Sequence, residues 1–283
     1  MLGVSRQVYY RSIKSTKRRR EISVQVIEMV ISIRTIMPKI GTRKLYHMLS
    51  NKLKTLGVGR DMLFRILKAN HMLIEPKRSY HITTNSHHRF KKHKNLIEEI
   101  TPSEPEQIWV SDITYIGHRK NPMYLALVTD AYSKKIVGYD VSNSLNTEGS
   151  LRAMKMANKS RLYKENILIH HSDRGLQYCS HEYQNLLLKN KVRCSMTETY
   201  DPYANAIAER INGILKQEFI GENRHLEIKI MKELIKNSIE IYNDIRPHYS
   251  CQMKTPKEMH RQNSIKIKTY KTKNTSKDVF AGI

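Results

Sequence analysis

The sequence predicts an α/β chain: a mixed five-stranded sheet flanked by helices, preceded by a helical region of its own. Three observations carry that prediction. Short runs between 108 and 142 alternate apolar and polar residues at the period of a strand. From 147 to 245, runs with helical spacing alternate with strand-like runs. Residues 21–70 carry only helical periodicity, broken by Pro38, Gly41, Gly57 and Gly59.

The opening GVSRQVYYR reads as a helical fragment without a partner, as though the chain began inside a larger functional unit. The basic run KSTKRRR (14–20) follows it. Residues 21–36 place Val24, Ile27 and Ile31 at helical spacing. Thr42 is expected to cap RKLYHMLSNKL, which sets Leu45, Leu49 and Leu53 on one face. RDMLFRILKAN (60–70) makes a third short helix. Short helices, glycine turns and scattered basic residues resemble a helix-turn-helix DNA-binding region at 1–75, with Arg43 and Lys44 as DNA contacts. Small basic trihelical units also bind proteins or simply pack. Residues 76–104 are polar, His-rich and basic, and read as a linker that gains order on nucleic acid.

The chain then changes character. IWVSDITYI (108–116), MYLALVTDAYS (123–133) and KIVGYDVS (135–142) read as an antiparallel meander. TEGSLRAMKMANKS (147–160) reads as a helix with Thr147 as its cap, and ILIHH (167–171) as a fourth strand. HEYQNLLLKNK (181–191) is a helix and VRCSMT (192–197) a fifth strand. NAIAERINGILKQEFI (205–220) and EIKIMKELIKNSIEIYNDI (227–245) are long helices. The expected layout is a core at 105–225 and a C-terminal helix with a basic tail at 226–283.

Charge separates these regions. The net charge is +24, from 50 Lys and Arg against 26 Asp and Glu. Residues 1–100 carry +16, residues 101–253 only +2, and residues 254–283 carry +6. A balanced core between basic arms implies a polyanionic partner. Cys179, Cys194 and Cys251 form no CxxC and read as reduced thiols in a cytoplasmic protein. The start lacks the apolar segment of a signal peptide, and no run of about 18 apolar residues offers a membrane span. His81, His87, His88 and His93 cluster, but without paired cysteines a structural zinc site is not expected.

The acids carry the chemistry. Asp112 shares the even-numbered, largely apolar face of the first strand with Ile108, Val110 and Ile116. A carboxylate there is costly unless paired or metal-bound. Asp173 ends the fourth strand in IHHSDRGLQY, where a plain turn is the competing explanation. If the first and fourth strands are neighbours, the two aspartates meet. Glu209 lies in the helix after the fifth strand, among small residues that allow close approach. Three such carboxylates suit two oxygen-liganded divalent ions and phosphodiester chemistry. Asp130 and Asp140 read as structural acids, and Glu218 competes with Glu209 from another side of its helix.

WVSDITYI, IHHSDRGLQY and DPYANAIAERINGILKQEF resemble, in order, the three acidic motifs of DDE transposases. The resemblance is to the retroviral-integrase-like insertion-sequence-three family, and within it to the second reading-frame product. The 35 residues between Asp173 and Glu209 match the D,D(35)E signature. KIGTRKLYHMLSN and YNDIRPHYSCQMKTP extend the likeness over about 1–260. Ala204, Asn205 and Ala206 stand where Asp-Asn-Ala is commoner, and the His-His-Cys-Cys zinc module of retroviral integrases is missing.

The resemblance implies an RNase H-like core and a bacterial transposase that cuts and joins DNA 3′ ends. It implies Asp112, Asp173 and Glu209 as catalytic residues and ligands of two Mg²⁺, with Mn²⁺ able to substitute. Lys216, seven residues after Glu209, is implied as a contact to terminal DNA; Arg210 and Arg174 join it as DNA candidates, and Trp109 reads chiefly as a core anchor. Expected partners are the element's terminal repeats and target DNA, further copies on DNA, and an upstream reading-frame product; no membrane is expected, and the location is the cytoplasm, at the nucleoid. Gly175 is expected to let the backbone turn beside Asp173. His171, Ser172 and Gln177 are candidate neighbours. The rival readings are a catalytically silent DNA-binding regulator or remnant, and an RNase H-type nuclease.

Overall fold

β1 (Ile108–Tyr115) takes the middle of the sheet because it is apolar on both faces. In the computed structural model, which describes residues 5–75, 93–97, 100–118, 121–197, 206–223 and 225–267, its odd positions Trp109 and Ile113 pack with Met154 of α5 (Thr147–Lys159) and Tyr183 and Leu187 of α7 (His181–Lys189). Its even positions Ile108 and Val110 pack against Ala208 of α8 (Ala206–Ile214). Period-two alternation thus sends one face to each helical layer.

β2 (Tyr124–Asp130) pairs antiparallel with β1, and β3 (Ile136–Ser142) antiparallel with β2. β4 (Ile169–Ser172) and β5 (Arg193–Met196) extend the other side in parallel, giving the order β3-β2-β1-β4-β5. The first and fourth strands are therefore neighbours, with Val110 opposite His171. The parallel pairs need crossovers, which the helices supply. α5 lies so close to β3 that a Cβ on Gly138 would collide with the Ala153 carbonyl.

Both sheet edges are occupied by something other than a strand. At β3 the Asn243 amide donates to the Ile136 carbonyl and accepts its N–H, both at 3.0 Å. At β5 the Met196 N–H donates to Lys94 O (3.3 Å) and the Leu96 N–H to Ser195 Oγ (2.9 Å). The described part of the expected linker therefore lies along the sheet.

Several local expectations change. The opening fragment, the basic run and residues 21–36 form one helix, α1 (Arg6–Ile36), because no Gly or Pro interrupts them. The single helix expected after Gly41 is two, α2 (Thr42–Met48) and α3 (Ser50–Thr55), hinged at Leu49; Leu45, Leu49 and Leu53 are still buried. Gly41, not Thr42, is its cap, and Asn146, not Thr147, caps α5. α4 (Arg60–Ala69) follows expectation. A short α6 (Leu176–Cys179) precedes α7. The long helix expected over 205–220 is α8 continued by a π-helix, Leu215–Ile220.

α9 (Ile228–Asp244) and α10 (Pro256–His260) close the described chain; Thr255 and Glu258 cap α10 reciprocally. Val30, Leu45, Leu63 and Leu67 form one apolar cluster with Phe219, Ile220, Ile235 and Tyr242, so the N-terminal helices rest on the π-helix side of the core. None of the described helices is long and apolar enough to cross a membrane. The three cysteines form no disulfide. His81, His87 and His88 lie outside the described residues, as does most of the C-terminal tail.

Candidate active site

The end of β4 answers the question its sequence raised. The Gly175 N–H donates to Asp173 Oδ1 at 3.0 Å, so the carboxylate stabilises the turn that follows the strand. Gly175 itself has φ −64°, which any residue can adopt. This corrects the expectation of conformational freedom there. What glycine provides is room, since a Cβ would lie 3.0 Å from Asp173 Oδ1 and 3.1 Å from Gln177 Oε1.

Asp112 stands across from this turn, and the two aspartates line one cleft with Ile113, Leu145, Gly175, Gln177 and Tyr178. Gln177 donates to the Leu145 carbonyl (2.6 Å), tying the α6 turn to the opposite wall. Under the cleft, His170 is fully buried and bonds Ser111 Oγ (2.7 Å) and the Tyr183 hydroxyl (3.0 Å). His171 Nδ1 bonds Ser195 Oγ at 2.9 Å. Burial and the adjacent His171 push His170 down to about 3, so it is a neutral strut. Trp109 is buried in the core.

Burial, then the Asp173 charge, raise the Asp112 carboxyl to about 7. Glu209 adds to the rise, while a hydrogen bond from Asn212 opposes it. Asn212 is the residue that sequence reasoning missed. It donates from Nδ2 to Asp112 Oδ2 at 2.7 Å, and its own Oδ1 is buried without a hydrogen-bond partner. Three residues before it on α8, Glu209 is exposed. Four residues after it, Lys216 donates to Thr114 Oγ1 at 3.0 Å, two positions along β1 from Asp112. Glu209, Asn212 and Lys216 thus form a polar stripe at i, i+3, i+7 facing the even side of β1.

Asp112 and Asp173 are brought together, and Glu209 acts on Asp112 through its charge. Among the described residues, no three His, Cys, Asp or Glu are assembled closely enough to hold a metal ion. The donor chemistry nevertheless fits a hard divalent cation, which would neutralise the carboxylates and reverse the shift on Asp112.

The basic candidates divide. Arg43 and Arg210 are exposed, and Arg174 is half-buried. Lys216 is turned toward β1 instead of outward. Lys44 pairs with Glu218 at 3.4 Å and is lowered to about 8, first by burial and then by Arg246. Its ammonium, expected to contact DNA, faces Glu218 in this structure.

The other core acids are neutralised. Glu218 accepts two hydrogen bonds from Arg246, at 2.6 and 2.7 Å. Burial alone would raise Glu218; Arg246 and Lys44 outweigh it and hold it low. Asp140 accepts twice from Arg152, at 2.8 Å each. Buried Glu106 accepts from the backbone of Leu162 and Tyr163 and lies 3.3 Å from His260 Nε2. Asp130 accepts from Ser133 and from the Glu106 N–H and faces the other side of His260. Both are held low against burial, chiefly by His260.

Two integrase core domain family models match the chain, over residues 102–202 and 190–256. An insertion element IS600 uncharacterized 31 kDa protein of Shigella sonnei is 33% identical over 252 residues, 88% of this chain and 92% of that protein. The transposase InsF for insertion sequence IS3fB of Escherichia coli (strain K12) is 34% identical over 172 residues, 60% of this chain and 59% of that transposase. A simian T-cell lymphotropic virus intasome, solved in complex with PP2A regulatory subunit B56 gamma, shares the fold at TM-score 0.50 and 20% identity, over 84% of this chain and 81% of that one. With the sheet order and the acid cleft, these matches place the molecule: the chain belongs to the insertion-sequence-three family, transposases built on an RNase H-like integrase core.

Proposed function

We propose that this chain cuts the 3′ ends of its insertion sequence and joins them to target DNA, with Asp112, Asp173 and Glu209 as the catalytic acids. The observation that carries the reading is Asp112, a half-buried carboxylate raised first by burial and then by the charges of Asp173 and Glu209. Such an arrangement is unfavourable in a merely structural role. The three acids would hold two Mg²⁺, with Mn²⁺ able to substitute. When bound, such ions favour the attacking water or 3′-hydroxyl and the leaving 3′-oxygen. Asn212 positions the Asp112 carboxylate. Tyr178 and the Gln177–Leu145 bond wall the cleft. Lys216, Arg210, Arg174 and Arg43 are proposed to contact DNA; for Lys216 this requires exchanging Thr114 for a phosphate. Residues 1–75 serve as the DNA-binding region, 76–104 as the linker, 105–225 as the catalytic core and 226–283 as its closing helices. The working form is an oligomer on DNA, acting with an upstream reading-frame product.

The test is strand cleavage and joining on a supercoiled mini-element with Mg²⁺, in the presence of the upstream product. Wild type should join 3′ ends, and Asp173→Asn and Glu209→Gln should bind DNA without joining. Equal activity in all three would overturn the acid assignment. DNA binding without reaction by wild type would favour the regulator reading.

A further inference from the structure

The basic run 14–20 has no part in the acid cleft, yet the structure gives it a defined form. It lies within α1, where every residue from 5 to 21 is exposed, whereas Val26 and Val30 on the same helix are fully buried. The first half of α1 therefore projects from the body of the chain. At about 100° per residue, Arg6, Arg11, Lys14, Lys17, Arg18 and Arg20 fall within one half of the helix circumference. That half faces away from the side carrying Val26 and Val30. Tyr10 lies within it, with the Arg6 guanidinium 5.8 Å from its ring centroid.

Residues 6–20 hold seven basic side chains and no acid; the first acid is Glu21. Arg11, Lys14 and Arg18 follow one another at i, i+3, i+7, where like charges destabilise an isolated helix. A polyanion laid along this face removes that cost. We infer that residues 6–20 form a helical arm that grips the phosphate backbone of duplex DNA without reading its sequence. The inference rests on DNA being the substrate, as proposed above, and assigns that DNA a site apart from the acid cleft. The arm spans about 21 Å at 1.5 Å per residue, and a major groove about 12 Å wide admits an α-helix. A second copy of the arm is the poorer occupant. Val8, Tyr9, Tyr10 and Ile13 are exposed and could pair, but pairing would bring together two sets of seven positive charges with no acids between them.

The test is the salt dependence of DNA binding by the full chain, read by fluorescence anisotropy on an element-end duplex and on an unrelated duplex. The plot of log K against log salt falls by about 0.9 per phosphate neutralised. Replacing Lys14, Lys17, Arg18 and Arg20 together by Gln should therefore flatten the slope by about 3–4 on both duplexes. Thermal stability should be retained, because these side chains touch nothing buried. An unchanged slope in the fourfold variant overturns the arm, as does unaltered binding accompanied by loss of self-association, which would assign the arm to a second copy. A flattened slope together with wild type that joins no ends would uphold the arm and refute the transposase reading separately.

Discussion

Two groups of carboxylates lie in the same core and titrate in opposite directions. Glu106 and Asp130 are buried and Glu218 is half-buried, and each is held low by cations or N–H donors of the surrounding fold. Asp112 is raised, by burial and then by two other carboxylates, with one amide as its side-chain donor. Burial acts alike on all four, so the difference lies in what the fold supplies next to each. Acids that serve architecture arrive with partners that hold them low; at Asp112 the neighbouring carboxylates push the other way.

The comparison breaks most sharply at Asp112. Asp112→Asn should reduce strand joining by about 10³-fold or more, the scale for losing an electrostatic contact to a transition state. It should also stabilise the metal-free protein at neutral pH by about 1–2 kcal/mol, the shift being discounted for solvent screening. Urea denaturation in chelator, beside joining assays in Mg²⁺, checks both; a destabilised variant would place Asp112 with the structural acids.

At the other pole, Arg246→Met leaves Glu218 without its bidentate partner and should cost about 3–5 kcal/mol, measured by the same denaturation. Lys44→Met keeps that partner, and its cost should stay below about 1 kcal/mol. An effect on joining smaller than that of Asp112→Asn is expected at Asn212. Asn212→Ala should weaken joining by about 10–100-fold, as for residues that orient metal ligands, and shift the half-saturating Mg²⁺ concentration upward.

The gentlest test is pH. His260 is raised, because hydrogen bonds to Asp130 and Glu106 outweigh burial. Its contribution to stability is fully present below its unfolded value of 6.5 and is lost as pH climbs through the raised folded value. Glu106 and Asp130 contribute above their unfolded values of 4.5 and 3.8, and lose that contribution as pH falls through the lowered ones. Thermal stability should therefore be greatest between the unfolded carboxylate and histidine values. His260→Gln should flatten its alkaline decline; an unchanged decline would mean that the cluster is not ionic.

Much of the candidate site was readable in the sequence, because the three candidate acids sit in local signals. Asp112 interrupts an apolar face, Asp173 ends a strand, and Glu209 opens a helix of small residues. The meander of the first three strands was readable from alternation, whereas the pairing of β1 with β4 entered only as the condition under which the two aspartates meet. Asn212 was missed, although its signal was present: polar residues at 209, 212 and 216 make a stripe on a helix otherwise rich in Ile, Ala and Leu. The π-helix was not legible, because LKQEFI carries no Gly or Pro to mark a change of helix type. Nor was the partner of Lys44, since Glu218 lies 174 residues away. The continuous α1 was hidden by its basic run, which composition assigns to solvent without saying whether it is helical.

The two covered edges of the sheet bear on how copies of this chain meet. An exposed edge strand invites another strand to extend the sheet, a route to runaway aggregation. Here a side-chain amide fills the Ile136 position at one end, and residues 94–96 lie along the short β5 at the other. Copies crowded together on one length of DNA would find little backbone to add to at those positions. Sheet extension from one copy to the next is hindered there, which is how a covered edge guards against edge-to-edge aggregation.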